Sequence, residues 1–122
     1  MANEITVNIY GRCANGRFDA EFKPGQLQFT QTTQGAQSGI VSVGTSEEDL
    51  SVGDVATNGW LFLRNLDSAN YVIYGPKSGG SMIAFGRIRS GEVAAFRVSA
   101  GVTLRWQANT AAVKVQVLFL ED

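Results

Sequence analysis

The most informative chemical feature of this 122-residue sequence is a missing residue type, because it contains no histidine. Neither a Ser-His-Asp nor a Cys-His nucleophile can be built without an imidazole, and the commonest metal ligand is missing. Cys13 is the only cysteine, so it forms no internal disulfide and cannot build a zinc site alone. We expect Cys13 to be a buried or idle thiol, with an intermolecular bridge or a reactive thiol as the alternative.

Paired carboxylates remain as a route to catalysis, because glycoside hydrolysis needs only two of them. Eleven acidic residues are present, and the densest run is Glu47-Glu48-Asp49. We interpret this run as a solvated loop with a short helical turn that Ser46 caps. Calcium binding together with Asp54 is the alternative, but the spacing lacks the D-x-[DN]-x-[DN]-G pattern. We therefore expect no enzyme, no catalytic residue, no metal and no cofactor.

The stretch GPKSGGS at 75–81 contains the residue types of a phosphate-binding loop in the wrong order. Such a loop places its Lys after the last Gly, followed by Ser or Thr and the start of a helix. Here Lys77 comes early and a strand pattern follows. The pattern predicts a hairpin loop.

Aromatic side chains offer a further kind of site, a stacking platform for a sugar or for single-stranded nucleic acid. The four candidates for it are Trp60, Tyr71, Tyr74 and Trp106. Aromatic residues in strands more often fill a core or an interface. A carbohydrate-binding β-sandwich module therefore stays an alternative function for this chain.

Composition indicates a globular chain without an obvious nucleic-acid or membrane partner. Ten Lys and Arg against eleven Asp and Glu give no support for non-specific nucleic-acid binding. The start MANEITVNIY lacks a basic region followed by an apolar run, so we expect no signal peptide. No apolar stretch approaches the ~20 residues of a membrane-spanning helix. We expect one domain over residues 1–122, assembled in a cytoplasm.

Alternation of apolar and polar residues dominates the chain and predicts an all-β fold. Short strands about ten residues apart are typical of a sandwich or barrel. We predict an antiparallel β-sandwich of about eight or nine strands with a jelly-roll-like topology. Strand patterns lie at 4–10, 27–33, 39–45, 59–66, 70–75, 81–88, 91–98, 103–109 and 112–121.

Residues 11–26 are interpreted as mostly irregular, an extended arm or loop with at most a short strand near 18–22. Turns are predicted at Asn15-Gly16 and Pro24-Gly25. Few of these residues are apolar, which suits a segment that becomes ordered on assembly.

Charged residues indicate which face of each strand points outward, since they are seldom fully buried. Arg64, Lys114, Arg97 and Arg105 each mark the outward face of their strand, so the apolar residues next to them in sequence point into the core. The residues two, four or six positions away share the outward face with the charged residue, and several of these are apolar. We predict four of them as protein-interface residues: Trp60, Phe62, Leu118 and Leu120.

A large exposed apolar patch is uncommon on a soluble monomer, so something is expected to cover these four side chains. We expect another protein subunit, including further copies of this chain as a homo-oligomer. The alternative is that residues 11–26 fold over this face. A local bend or bulge could also exchange the two faces.

Two stretches of the second half carry a family resemblance: GWLFLRNLDSANYVIYG at 59–75 and GEVAAFRVSAGVTLRWQANTAAVKVQVLFLED at 91–122. They resemble small all-β structural proteins of tailed bacteriophages. The resemblance covers 59–122, about half of the chain, and residues 1–58 show no matching motif.

That resemblance implies a virion component. Such sandwich or jelly-roll proteins often serve as capsid cement, or decoration, proteins that clamp neighbouring subunits of the major capsid protein on the outside of the head. Others serve at the head–tail connection or in the tail, and the motifs leave this choice open. The resemblance supplies no catalytic residue.

Overall fold

The fold is all-β: in the computed structural model, which describes residues 2–122, there are thirteen strands and no helix. Every strand pair among these residues is antiparallel. The predicted all-β antiparallel class is therefore confirmed. Contacts divide the chain into two compact units, an N-terminal unit that ends at Thr32 and a sandwich unit of residues 33–122. The prediction that one sandwich domain spans the whole chain stays a prediction.

The N-terminal unit consists of two strand pairs. Its strands are β1 (Ile5–Asn8), β2 (Gly11–Asn15), β3 (Phe18–Phe22) and β4 (Gln26–Phe29). β1 pairs with β4, and β2 pairs with β3. The interpretation of 11–26 as mostly irregular was wrong, because most of it forms a β-hairpin. Its two-residue loop is Gly16-Arg17, with φ +60° at Gly16, as a glycine-first hairpin turn requires.

The sandwich unit contains nine of the thirteen strands. They are β5 (Ala36–Val43), β6 (Glu48–Asp49), β7 (Asn58–Asn65), β8 (Val72–Ser78), β9 (Ser81–Met82), β10 (Gly86–Ile88), β11 (Val93–Arg97), β12 (Leu104–Ala108) and β13 (Val113–Glu121). The predicted eight or nine strands of the whole chain were too few, and two of them, at 4–10 and 27–33, lie in the N-terminal unit. The predicted strand at 81–88 is divided into β9 and β10. The predicted helical turn at Ser46 was wrong, since β6 occupies this stretch.

These strands form two sheets, ordered β11-β7-β13-β5 and β10-β8-β12-β6, with the short β9 beside β8. The pairs β5·β13, β6·β12, β7·β11 and β8·β10 are those of one long antiparallel ribbon. Rolling this ribbon up creates the additional pairs β7·β13 and β8·β12. Eight strands wound in this way are the topology of a jelly roll.

The core lies between the two sheets, and the predicted faces of its strands are confirmed. Leu61 and Leu63 are buried while Arg64 is exposed, and β13 alternates strictly from buried Val113 to buried Phe119. The rings of Tyr74 and Phe96 stack at 5.8 Å across the two sheets. The alternation of successive side chains was therefore sufficient to distinguish core-facing from solvent-facing residues in the long strands.

The predicted hairpin loop within 75–81 is confirmed. Lys77 pairs with Met82 and Ser78 pairs with Ser81. The turn between them consists of Gly79 and Gly80, both at positive φ, which L-residues with a Cβ rarely adopt.

Asn65 organises the loop that follows β7, and it is the part of the RNLDSAN motif that the sequence analysis left unexplained. Its side chain is fully buried. Its Nδ2 donates to the carbonyl oxygens of Asn70 at 3.0 Å and Ile88 at 2.9 Å, and its Oδ1 accepts from the Asp67 N–H at 2.8 Å. Its backbone N–H donates to the Glu92 carbonyl at 3.0 Å. One amide thus connects β7, its loop and β10.

Asp67 continues this loop by accepting two backbone hydrogen bonds. Its Oδ2 accepts from the N–H groups of Asn70 at 2.6 Å and Ala69 at 3.0 Å. These bonds, that from Asn70 foremost, hold the pKa of Asp67 below its ordinary value of 3.8, because they stabilise the charged carboxylate.

We therefore predict that Asp67 makes the stability of the chain acid-sensitive. Since the folded pKa lies below the unfolded value, the carboxylate stabilises the fold above the unfolded pKa, and this contribution is lost as the pH falls through the folded pKa. Urea unfolding at neutral and acidic pH should show a smaller loss of stability on acidification for Asp67→Asn than for the wild type. Equal losses for both chains would contradict the prediction.

Candidate interaction surfaces

The four predicted interface residues lie on one side of the sheet β11-β7-β13-β5, the side turned away from the core, here called the outer face. Phe62 and Leu118 are direct cross-strand partners, and the rings of Trp60 and Phe62 stack at 5.9 Å. Leu120 follows on β13, where the register with β7 shifts. The structure therefore places all four in one row of neighbours.

These four side chains are covered to different degrees. Leu118 is 38% exposed, whereas Trp60, Phe62 and Leu120 are half-buried. The guanidinium of Arg97 lies 5.8 Å from the Trp60 ring centre and forms an ion pair with Asp122 at 3.0 Å. The outer face is thus less open than the sequence suggested, and Leu118 is its most accessible predicted residue.

The hairpin β2–β3 presents a second apolar surface, which the sequence analysis missed. Cross-strand partners share a face, and the register pairs Gly11 with Phe22, Cys13 with Ala20 and Asn15 with Phe18. These six residues form what we call the hairpin apolar face. Phe18 is 61% exposed and Phe22 62% exposed, so both rings are largely open to solvent. The thiol of Cys13 is also exposed. Of the expected buried or idle thiol, burial is therefore wrong, and the idle thiol stays a prediction.

The opposite face of the hairpin is charged, and its side chains bind one another. Arg12 forms an ion pair with Asp19 at 3.0 Å, and the Tyr10 hydroxyl donates to Glu21 at 2.7 Å. That hydrogen bond raises the pKa of Tyr10. The ammonium of Lys23 lies 5.9 Å from the centre of the Tyr10 ring. The charged side chains of this face thus bind one another. The hairpin apolar face, in contrast, leaves its two phenylalanine rings largely exposed.

The sequence did contain a signal for this surface. Phe18, Ala20 and Phe22 alternate with Asp19 and Glu21, and the alternation begins two residues after Gly16, a glycine that suits a tight turn. An alternation of this kind predicts an amphipathic strand even in a segment with few apolar residues. The low overall apolar content of residues 11–26 does not reveal this amphipathic strand.

The four aromatic residues considered as a stacking platform do not form one. Trp106 and Tyr74 are buried cross-strand partners inside the sandwich. Trp60 lies on β7, in the other sheet. Tyr71 lies just before β8, where the guanidinium of Arg87 stacks at 4.1 Å from its ring centre. The proposed common platform is therefore wrong, since its members point to three different places.

The acidic run at 47–49 serves a structural contact. Arg105 binds Glu47 at 2.8 Å and Asp49 at 2.7 Å, and this raises the pKa of the guanidinium, Glu47 contributing most. Glu47 also accepts from the Met82 N–H at 2.6 Å. The run thus joins β6, β12 and β9 rather than forming an open solvated loop.

A shallow cavity of about 210 Å³ lies beside β8 and β10. Its lining residues are Ile73, Ala84, Phe85, Gly86 and Arg87. Phe85 is largely exposed, and its ring meets that of Tyr74 edge-on at 6.4 Å. The cavity contains one charged side chain and no second titratable group, so its composition indicates no particular reaction.

Residues 2–122 contain neither a cluster of metal ligands nor a helix that could span a membrane. No group of three or more Cys, Asp or Glu side chains there is arranged to hold a metal ion. Within the same residues no helix has the length and apolar character needed to cross a bilayer.

Compared with known proteins, the chain matches no protein-family model, no curated protein and no solved structure.

Proposed function

We propose that this chain is a non-enzymatic structural protein of a virion, a cement or decoration protein that stabilises a phage head by bridging subunits of the major capsid protein. The observation that carries the proposal is the amphipathic hairpin β2–β3. Its charged side chains are paired with one another, while Phe18 and Phe22 lie open to solvent. Such a surface suits adhesion to another protein and has no evident role in turnover.

The stability of an isolated hairpin supports an adhesive role. A two-stranded hairpin is marginally stable in water unless something packs on one of its faces. All ten strand residues of β2 and β3 are exposed in this chain. A partner surface would bury the two phenylalanine rings, each worth roughly 1.5–3 kcal/mol when fully buried. The hairpin would then act as an arm that becomes rigid on assembly.

The outer face supplies a second contact of the same chemical kind. Leu118 is accessible there, and its neighbours Phe62 and Trp60 are half-buried. A subunit that contacts the assembled shell at two places binds the shell better than it binds isolated capsid subunits. By mass action, a ligand of the assembled state stabilises that state. The proposed site of action is therefore the surface of the capsid.

The sequence resemblance over 59–122 also favours this class of protein, and its motifs coincide with structural features. The RNLDSAN stretch forms the loop that Asn65 and Asp67 organise. The QANTAAVKVQVLFLED stretch forms the end of β12 and the whole of β13, one of the two inner strands of its sheet. The jelly-roll topology is common among viral capsid and lectin domains.

A matched pair of substitutions tests the proposal on particles that lack the chain. Ala20 lies on the hairpin apolar face between the two phenylalanines, and Ala14 lies on the charged face opposite Asp19; both are exposed. Ala20→Lys should weaken binding to the particles at least about tenfold, because a lysine would enter an apolar contact. Ala14→Lys should bind like the wild type.

The readouts are co-sedimentation with the particles and survival of the particles after heating. Wild-type chain should bind and protect against heat, and Ala20→Lys should do neither. Equal binding of both variants would contradict the role of the apolar face, and absence of wild-type binding would contradict the capsid proposal. Binding to glycans in place of particles would favour the carbohydrate-binding alternative.

A further inference from the structure

The sandwich has one unprotected edge, strand β5. Edge strands usually carry charges or proline, or are very short, because an open edge invites pairing with another strand. Among the four outer strands of the two sheets, β6 is two acidic residues, β10 has three residues with Arg87, and β11 ends on Arg97. β5 is eight residues long, AQSGIVSV, without a charge or proline.

Backbone hydrogen bonds indicate which residues of β5 face the open edge. On β13, Lys114 accepts from Leu66 on the β7 side, whereas the N–H of Glu121 donates to Gly35 on the β5 side. The backbone N–H and C=O groups of successive residues point to opposite sides of a strand, so those of the odd-numbered residues of β13 point toward β5. These residues pair with the odd-numbered residues of β5, whose backbone groups therefore point toward β13. The N–H and C=O groups of Ser38, Ile40 and Ser42 therefore point outward.

The side chains along this edge favour a symmetric partner. Ile40 is a large β-branched residue, 64% exposed, in the middle of the strand. Its same-face neighbours Ser38 and Ser42 are small and uncharged. A second β5 in antiparallel orientation can be centred on Ile40, so that Ile40 opposes Ile40 of the partner and Ser38 opposes Ser42. Gly39, at φ +144°, keeps its register with Val117, so the edge is continuous.

We propose that β5 pairs with β5 of a second copy of this chain around a two-fold axis. The three opposed residue pairs would exchange six backbone hydrogen bonds and join the two β11-β7-β13-β5 sheets into one eight-stranded sheet. A contact of this kind is isologous, because both copies use the same surface. The inference rests on the proposed structural role, to which it adds the surface used for self-association.

Disulfide trapping tests this pairing in the purified full-length chain with Cys13→Ser. Ile40→Cys would place two cysteines at about 5.5 Å between Cα atoms, within the range of a disulfide. Ser38→Cys is the matched control, on the same strand and face, because it would oppose Ser42 instead of itself. We expect Ile40→Cys to form covalent dimer roughly tenfold faster than Ser38→Cys on mild oxidation.

A further change removes the open-edge contact while leaving the sandwich ladder intact. Adding Ser42→Pro to Ile40→Cys deletes an N–H that faces the open edge and makes no bond to β13, so cross-linking should fall to the control rate. Tryptophan fluorescence verifies that each variant is folded. A fold lost in Ser42→Pro would show that β5 does not tolerate the fixed φ of proline, and the comparison of Ile40→Cys with Ser38→Cys then decides the pairing.

The outcomes separate this inference from the proposed function. Equal cross-linking of Ile40→Cys and Ser38→Cys, or none in either, would overturn the β5 pairing even if the chain binds particles. Cross-linking specific to Ile40→Cys supports the pairing even if the chain binds no particle, in which case the capsid proposal alone fails.

Discussion

Replacing Asn65 by Ala is expected to lower the free energy of unfolding by about 3–4 kcal/mol. The amide satisfies the carbonyl groups of Asn70 and Ile88 and the N–H of Asp67, and it is fully buried. Each buried group left without its hydrogen bond costs about 1–3 kcal/mol, and water entering the space of the side chain would offset part of the sum.

Urea unfolding followed by tryptophan fluorescence measures this effect, since both tryptophans lie in the sandwich unit. Gln116→Ala is the matched control, because it removes an exposed amide from β13, an inner strand of its sheet. It should change stability by less than about 0.5 kcal/mol. A loss for Asn65→Ala no larger than that of the control would show that this amide does not hold the loop and β10 together.

The second large effect is expected for Trp106→Ala, with a loss of about 3–5 kcal/mol. Trp106 is buried between the sheets on β12, where it pairs with Tyr74. Truncation would remove the largest side chain of the core and leave a cavity that the rigid sheets cannot close.

Trp60→Ala is the informative comparison, because it is the same substitution on the outer face. Trp60 is half-buried, so its truncation should cost clearly less than that of Trp106. Urea unfolding can follow both variants, each through its remaining tryptophan. Equal losses for the two would mean that Trp60 is a core residue, which would contradict its assignment as an interface residue.

Much of the sandwich was predictable because a charged residue shows which side chains of its strand point outward and which point into the core. Arg64 and Lys114 correctly separated the inner from the outer residues of β7 and β13. Arg105 likewise indicated that Trp106 points inward, which was a better guide than its aromatic character. The row formed by Phe62 and Leu118 followed from the same phase.

Other features were not predictable because they depend on partners distant in sequence. The role of Asn65 requires the carbonyl of Ile88, 23 residues away. β6 is a strand only because two residues pair with Arg105 and Trp106 on β12. How far neighbours cover Trp60 and Phe62 is likewise decided by the fold and not by alternation. Local patterns contain none of these contacts.

The hairpin β2–β3 is an intermediate case. Its turn was expected at Asn15-Gly16, one residue before the Gly16-Arg17 loop that forms. The short strand expected near 18–22 is β3, but β2 and the pairing of the two strands were missed because glycine and charged residues dominate the segment. A search for amphipathic alternation on both sides of each predicted turn would have found them.

The copy number of this chain in purified particles tests the proposed cement role most directly. Quantitative mass spectrometry against the major capsid protein measures it. A cement protein should be present in a fixed ratio to the capsid subunits, in hundreds of copies per head. About a dozen copies would instead indicate a connector or tail component, and absence from the particles would contradict a virion role altogether.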